Sequence, residues 1–244
     1  VKPQIIAHRG WSGRYPENTL IAFEKAMELP VDGIEFDLRL TADDKIVISH
    51  EADVDLRSNG TGTIAQMTLD ELKKLDFGIK KGPEFAGTRI PELHELLDLV
   101  EARRPDLWLA VEIKDDSESL ARRTIDELRK RGFDKHCSII SFKSNMIRAA
   151  AKYAPELPRH GFSAINLPTE GGREDYIALL NRVGINIRKI NLEIAGFYHD
   201  RGIRIDTWAP GNANEYLAAR ACQVDFITTN DPDIILDLQQ KFAD

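Results

Sequence analysis

The sequence predicts an α/β fold, a (β/α)8 TIM barrel with an insertion after the second strand. Three observations predict it. Short β-rich apolar runs alternate with amphipathic stretches along the chain, a pattern that implies parallel strands joined by crossover helices. Eight strand-then-helix units can be read in this way, and the chain is 244 residues long, close to the ~250 typical of a closed eight-unit barrel. Residues 41–90 interrupt the rhythm after the second strand. An open, doubly wound sheet is the structural rival. We expect one catalytic domain over residues 1–244, with 41–90 as an inserted subregion.

The first strand is QIIAH (4–8), an apolar run that stops at His8-Arg9-Gly10. Gly10 lets the chain turn sharply. PENT closes the loop, and Asn18 is placed to cap the helix NTLIAFEKAMEL. The second strand is GIEFDLRL (33–40). The segment that follows is too long for a normal βα connection. Within it, Asp43-Asp44 marks a turn before a short strand, IVISH, and SNGTG marks a loop. MTLDELKKL reads as a short helix capped by Thr68, with Glu71 three residues on. The segment is expected to lie over one end of the barrel.

The helix PELHELLDLVEARR leads into the strand LWLAVEIK (107–114). In SESLARRTIDELRKRG, Leu120, Ile125 and Leu128 recur at helical steps. The later strands are CSIISF (137–142), LPRHGF (157–162), INIRK (185–189), IRIDTW (203–208) and DFITT (225–229). They alternate with the helical patterns KSNMIRAAAKYA, REDYIALLNRV, LEIAGFYHDRG, ANEYLAARACQ and DPDIILDLQQKF.

The net charge of −7 argues against a nucleic-acid partner. It leaves room for an anionic small substrate, because the charge within a cleft matters more than the total. Cys137 and Cys222 are expected as reduced, buried thiols. No apolar stretch approaches the ~20 residues of a membrane span, and the N-terminus lacks the long apolar region of a signal peptide. A cytoplasmic protein is the expectation. The oligomeric state is left open, a homo-oligomer included.

In a barrel of this kind, chemistry gathers where the strands end at their C-terminal side. Strand one delivers His8 and Arg9. In strand two, Glu35 and Asp37 stand at i and i+2 and therefore share a face. Two carboxylates facing a barrel interior are costly unless a cation neutralises them. Strand three repeats the device with Glu112 and Lys114. Glu112 can complete a three-carboxylate site whose hard oxygen ligands suit Mg2+, Ca2+ or Mn2+ rather than zinc. His50 ends the short strand of the inserted segment, over the same barrel end, and with His8 it forms a candidate acid–base pair. Arg9 and Lys114 offer donors to a phosphate. His94, His136, His160 and His199 have no chemical companions in sequence and read as structural or exposed. The set describes a phosphodiester-cleaving site. A non-catalytic barrel that binds phosphorylated ligands is the alternative from another class.

HRG, PENT, AF (22–23) and GIEFDLRLTADDKIVISHE together resemble the glycerophosphodiester phosphodiesterases. NGTG (59–62), TLDELKKLDFG (68–78), IPELHELL (90–97), VEIK, ISF, DTWAPGN and VDFITTNDP continue the resemblance over nearly the whole chain. It implies metal-dependent hydrolysis of a small-molecule glycerophosphodiester to sn-glycerol 3-phosphate and an alcohol. Glu35, Asp37 and Glu112 would hold one divalent metal, Mg2+ or Ca2+. His8 and His50 would be general acid and base, in an order left open, and Arg9 and Lys114 would contact phosphate. Glu17 would touch metal or glycerol or orient a neighbour, and Trp208 would line the substrate pocket. The chain departs from the family pattern at Glu51, where aspartate is usual. It departs again at Leu56-Arg57, where an arginine is shifted by one place or lost, at Trp208-Ala209-Pro210-Gly211-Asn212, and at Asn230. These positions lie in loops that shape the substrate site. Related barrels cyclise their substrates, so attack by water and attack by a substrate hydroxyl both remain open, as does a sugar or lipid-headgroup diester.

Overall fold

The computed structural model describes residues 2–163 and 172–242. In chain order its elements are β1 (Gln4–His8), α1 (Leu20–Met27), β2 (Gly33–Leu40), β3 (Ile46–Ile48), α2 (Leu69–Leu72), α3 (Leu93–Arg103), β4 (Trp108–Ile113), α4 (Glu118–Lys130), β5 (Cys137–Ile140), α5 (Ser144–Tyr153), β6 (Arg159–Phe162), α6 (Arg173–Ile177), β7 (Arg182–Asn186), α7 (Leu192–His199), β8 (Arg204–Trp208), α8 (Ala213–Ala221), β9 (Phe226–Thr229) and α9 (Pro232–Lys241). Strand β1 pairs in parallel with both β2 and β9. That double pairing closes a ring of eight parallel strands, β1-β2-β4-β5-β6-β7-β8-β9. The fold is therefore the expected (β/α)8 barrel. Strand β3 stands outside the ring and runs antiparallel to the end of β2, with Leu38 opposite Ile48.

Side-chain alternation sorts each strand into two faces. Ile5 and Ala7 of β1, Ile34, Phe36 and Leu38 of β2, and Leu109, Val111 and Ile113 of β4 face outward into the main core against the helices. Their neighbours face the lumen, where Ile6, Ala110, Ile140, Phe162 and Phe226 form a second cluster with Trp108 and Trp208 against it. The lumen floor is aromatic and cationic. The Arg182 guanidinium lies 3.8 Å from the Phe226 ring centre and 4.2 Å from that of Trp108.

Residues 41–90 carry a small core of their own, Val47, Val54, Ile64, Leu72, Phe77 and Ile90. Helix α2 forms with Thr68 and Glu71 as a reciprocal capping box, as the sequence predicts. Lys81 ties this segment to the β1–α1 loop by donating to the carbonyls of Ser12 and Gly13, each at 2.8 Å. Among the described residues, no helix is long and apolar enough to cross a membrane.

Two elements differ from expectation. Strand β7 begins at Arg182, three residues before the predicted INIRK strand, and ends at Asn186. Helix α6 stops at Ile177 rather than continuing to Val183. Arg182 reads as a helix-surface residue, but its stem and head are buried between lumen rings. The lumen therefore claims this residue for the strand.

Gly10 illustrates how tightly the loop after β1 is fixed. It sits at φ 77°, and a Cβ there would come 2.6 Å from the Ala22 carbonyl carbon. Gly10→Ala is expected to lower unfolding stability by about 2 kcal/mol or more, through left-handed strain and this clash. A thermal melt measures it directly, with a fall of several degrees as the expected result.

Candidate active site and metal centre

Because the strands are parallel, their C-terminal ends open at one mouth, and the lumen-facing parity of each strand decides what appears there. The β1–β2 register sets His8 beside Glu35, and the β2–β4 register sets Asp37 beside Glu112. One oxygen from each of Glu35, Asp37 and Glu112 lies within 4.8 Å of the others, and all three side chains are buried.

This crowding strains ionisation. Burial first, then Asp37 and Glu112, push the Glu35 carboxyl well above the usual carboxylate range. Burial and Asp37 push Glu112 up to about 7. Burial also opposes ionisation of Asp37, but Arg9 and Lys114 outweigh it and hold that carboxyl low. Asp37 Oδ1 is buried without a hydrogen-bond partner. Three close carboxylates and an orphaned oxygen form a donor set fitted to a hard divalent cation.

Cations and amides hold the triad from the side. The Arg9 backbone N–H donates to Glu35 Oε2 at 3.1 Å, and its guanidinium lies 3.4 Å from Asp37 Oδ2. Lys114 Nζ donates to Glu112 Oε1 at 3.0 Å and sits 3.6 Å from Asp37 Oδ1. Glu17 bridges two guanidiniums, accepting from Arg9 at 2.9 Å and pairing with Arg57 at 3.1 Å. The arginine at 57 thus turns toward the site while Leu56 is exposed.

Asn18 is not the cap of α1. It adopts φ 57° and donates its amide to Asp37 Oδ2 at 2.8 Å. Thr19, with extended backbone, caps the helix instead. A buried carboxylate needing a donor outcompetes the helix end for the asparagine side chain.

The two predicted histidines flank the triad with different partners. His8 Nδ1 lies 2.6 Å from Asn230 Oδ1, and that oxygen also accepts from Ser12 Oγ at 3.0 Å. An amide oxygen can only accept, so Nδ1 carries the proton. Nε2 then presents its lone pair 3.8 Å from Glu35 Oε2. Burial first and Arg9 second lower the His8 pKa to about 4. His50 Nδ1 lies 3.0 Å from Glu51 Oε1, and its carbonyl accepts two bonds from Arg39. Burial, with Arg9 and Lys114, also lowers the His50 pKa, against the raising pull of Asp37 and Glu51.

Two joined cavities open at the mouth. A deep lobe of about 280 Å³ enters the lumen, past Phe142, Phe162 and Trp208, to His160, Asp206 and Thr228. An outer lobe of about 610 Å³ is lined by Arg57, Asn186, Arg188 and Glu215. His8, Arg9 and Trp208 line both. The sequence-predicted residues His8, His50, Arg9, Glu35, Glu112 and Trp208 therefore share the deep lobe. Asp37 and Lys114 contact that lining, Asp37 through Arg9 and Lys114 through Glu112, and Glu17 lines the outer lobe.

Sequence reasoning missed His160 and Asp206. His160 reads as a structural histidine, yet it lines the deep lobe from inside β6. The signal was present for Asp206, which stands two residues before Trp208 and so shares its lumen face. His94 and His136 are exposed, and His199 pairs with Asp225 at 3.3 Å.

The sequence model of the glycerophosphoryl diester phosphodiesterase family matches residues 8–234. The chain is 33% identical, over 99% of each chain, to a glycerophosphodiester phosphodiesterase of Caldanaerobacter subterraneus subsp. tengcongensis. A phosphodiesterase of Oleispira antarctica, solved in complex with the product sn-glycerol-3-phosphate, superposes with TM-score 0.85. It is 26% identical, with 98% of this chain and 97% of that chain covered. A solved Silicibacter pomeroyi structure shares the fold at TM-score 0.88 and 22% identity, with 98% of this chain and 93% of that chain covered. With matches of this extent in sequence and architecture, the chain belongs to the glycerophosphoryl diester phosphodiesterase family.

Proposed function

We propose that the protein hydrolyses glycerophosphodiesters to sn-glycerol 3-phosphate and an alcohol. The observation that carries this reading is the meeting, at one barrel mouth, of three buried carboxylates with two imidazoles and two cationic side chains. Glu35, Asp37 and Glu112 hold one divalent cation, Mg2+ or Ca2+. When bound, it neutralises the crowded carboxylates and polarises a phosphoryl oxygen.

The remaining roles follow from the partners of each side chain. Arg9 and Lys114 face the phosphate and stabilise its developing charge. Glu17 is a positioning residue, since it spans Arg9 and Arg57. His8, paired with a neutral amide, is favoured as the uncharged imidazole with a free Nε2 lone pair, so it acts as general base toward water. His50 has the Glu51 carboxylate beside Nδ1, a partner that opposes the net lowering of its pKa by burial and that His8 lacks, and it acts as general acid toward the leaving alkoxide. Trp208 walls both lobes and packs the substrate.

The test is release of sn-glycerol 3-phosphate from glycerophosphocholine, glycerophosphoethanolamine and glycerophosphoglycerol, with Mg2+, Ca2+ or excess chelator. We expect product with at least one cation and loss of turnover on chelation. Intact substrate under all conditions, or a cyclic phosphate as end product, overturns the reading.

A further inference from the structure

The deep lobe ends in polar groups that the chemistry at its mouth does not use. His160 and Asp206 project into the lumen from β6 and β8, and each is only 4% exposed. Asp206 Oδ2 accepts from Thr228 Oγ1 at 2.8 Å and lies 4.0 Å from His160 Nδ1. Asp206 Oδ1 and His160 Nε2 are buried with no hydrogen-bond partner. Orphaned buried polar atoms are costly, and these two line the same cavity as Glu35 and Glu112.

The surroundings define what satisfies them. Phe142 and Phe162 stack above, with Trp208 edge-on to both, so a ligand passes an apolar collar before reaching the floor. Burial first and Arg182 second depress protonation of His160, while burial pushes Asp206 up to about 6 against the pull of Thr228 and Arg182, so Arg182 already offsets the charge of this pocket floor. A second cation would meet that field, whereas a neutral group would not. A hydroxyl is neutral, donates one bond and accepts others. It can donate to Asp206 Oδ1 while accepting from the N–H of a neutral His160 ring in its Nε2–H tautomer.

We propose that His160 and Asp206 select the glycerol half of the diester by hydrogen bonding its terminal hydroxyl at the floor of the deep lobe. The proposal rests on the reading of the protein as a glycerophosphodiester hydrolase. The phosphate then lies at the junction lined by His8 and Arg9, and the variable alcohol extends into the larger outer lobe.

Three p-nitrophenyl phosphodiesters test this, because they share one leaving group and differ only in the retained half. That half is glycerol, its deoxy analogue propane-1,2-diol that lacks the free terminal hydroxyl, or choline. In the wild type, kcat/KM for the glycerol ester should exceed that for the deoxy ester by about 100-fold or more, since a site built to bond a hydroxyl rejects its absence. Asp206→Ala should bring the ratio to within a few-fold, mainly through KM for the glycerol ester. His160→Phe, which keeps a ring against Phe162, should do the same and guards against a folding defect in the first variant. An unchanged ratio in both variants overturns the proposal. So does a choline ester that is preferred in the wild type and loses that preference in Asp206→Ala. If the wild type cleaves none of the esters with metal present, the hydrolase reading is what fails.

Discussion

His8→Ala is expected to lower kcat for glycerophosphocholine hydrolysis by about 100- to 10,000-fold, the usual worth of a positioned proton acceptor. KM should stay within a few-fold, because Arg9, Lys114 and Trp208 still hold the substrate. The argument is geometric. Asn230 fixes the ring through Nδ1, Ser12 fixes Asn230, and Nε2 is left facing the triad. Steady-state kinetics on a single natural diester measure the effect. His50→Ala should cost a similar factor on the same substrate but much less on a p-nitrophenyl ester, whose leaving group departs without a proton. Equal losses on both substrates would remove His50 from the acid role. A double variant no slower than either single variant would show the pair acting as one unit.

How much of this site was legible before the structure depends on strand parity. Glu35 and Asp37 could be placed together because strict alternation in GIEFDLRL leaves them one face. The same rule placed Glu112 beside Lys114, and the structure sets the two strands adjacent with Asp37 opposite Glu112. His160 escaped because a single buried histidine inside a strand has no local sequence signature, whereas Asp206 is legible from the strand face it shares with Trp208. His160 lies beside Gly161, and the glycine is needed because a Cβ there would come 2.1 Å from the Tyr176 hydroxyl. Gly184 likewise leaves room for Phe162, whose ring a Cβ would approach to 2.6 Å. Such fits between strands depend on lumen geometry that propensity does not encode. Strand β7 was misplaced for the same reason, since what recruits Arg182 is the pair of aromatic rings it meets across the barrel. Asn18 shows the limit at a single residue, because the rule for helix caps cannot see a carboxylate brought in from another strand.

The acidic triad gives the second large effect, and its sign runs against intuition. Glu35 and Glu112 have folded-state pKa values above their ordinary range, Glu112 up to about 7. For such groups the stabilising contribution is present below the unfolded pKa and is lost as pH rises through the folded one. With metal chelated, these two groups should therefore lower the melting temperature as pH rises from about 4.5 toward 8. Asp37 is shifted the other way, and its contribution is lost only on acidification below its ordinary range. Millimolar Mg2+ or Ca2+ should raise the melting temperature, because a ligand bound only by the folded state stabilises it. The rise should be larger at pH 8 than at pH 5, where protons compete for the same oxygens. Glu112→Gln removes one of the repelling charges. In chelator at pH 8 it should melt no lower than the wild type, and yet it should lose most of the cation-induced shift and more than about 100-fold of activity. A variant that keeps the full shift would place the cation elsewhere. A variant that loses activity without losing the shift would make Glu112 a contact for substrate instead of a ligand. Melting curves in chelator and in each cation, at both pH values, separate these outcomes without relying on turnover, because the carboxylates that destabilise the empty mouth are the ones that make it bind.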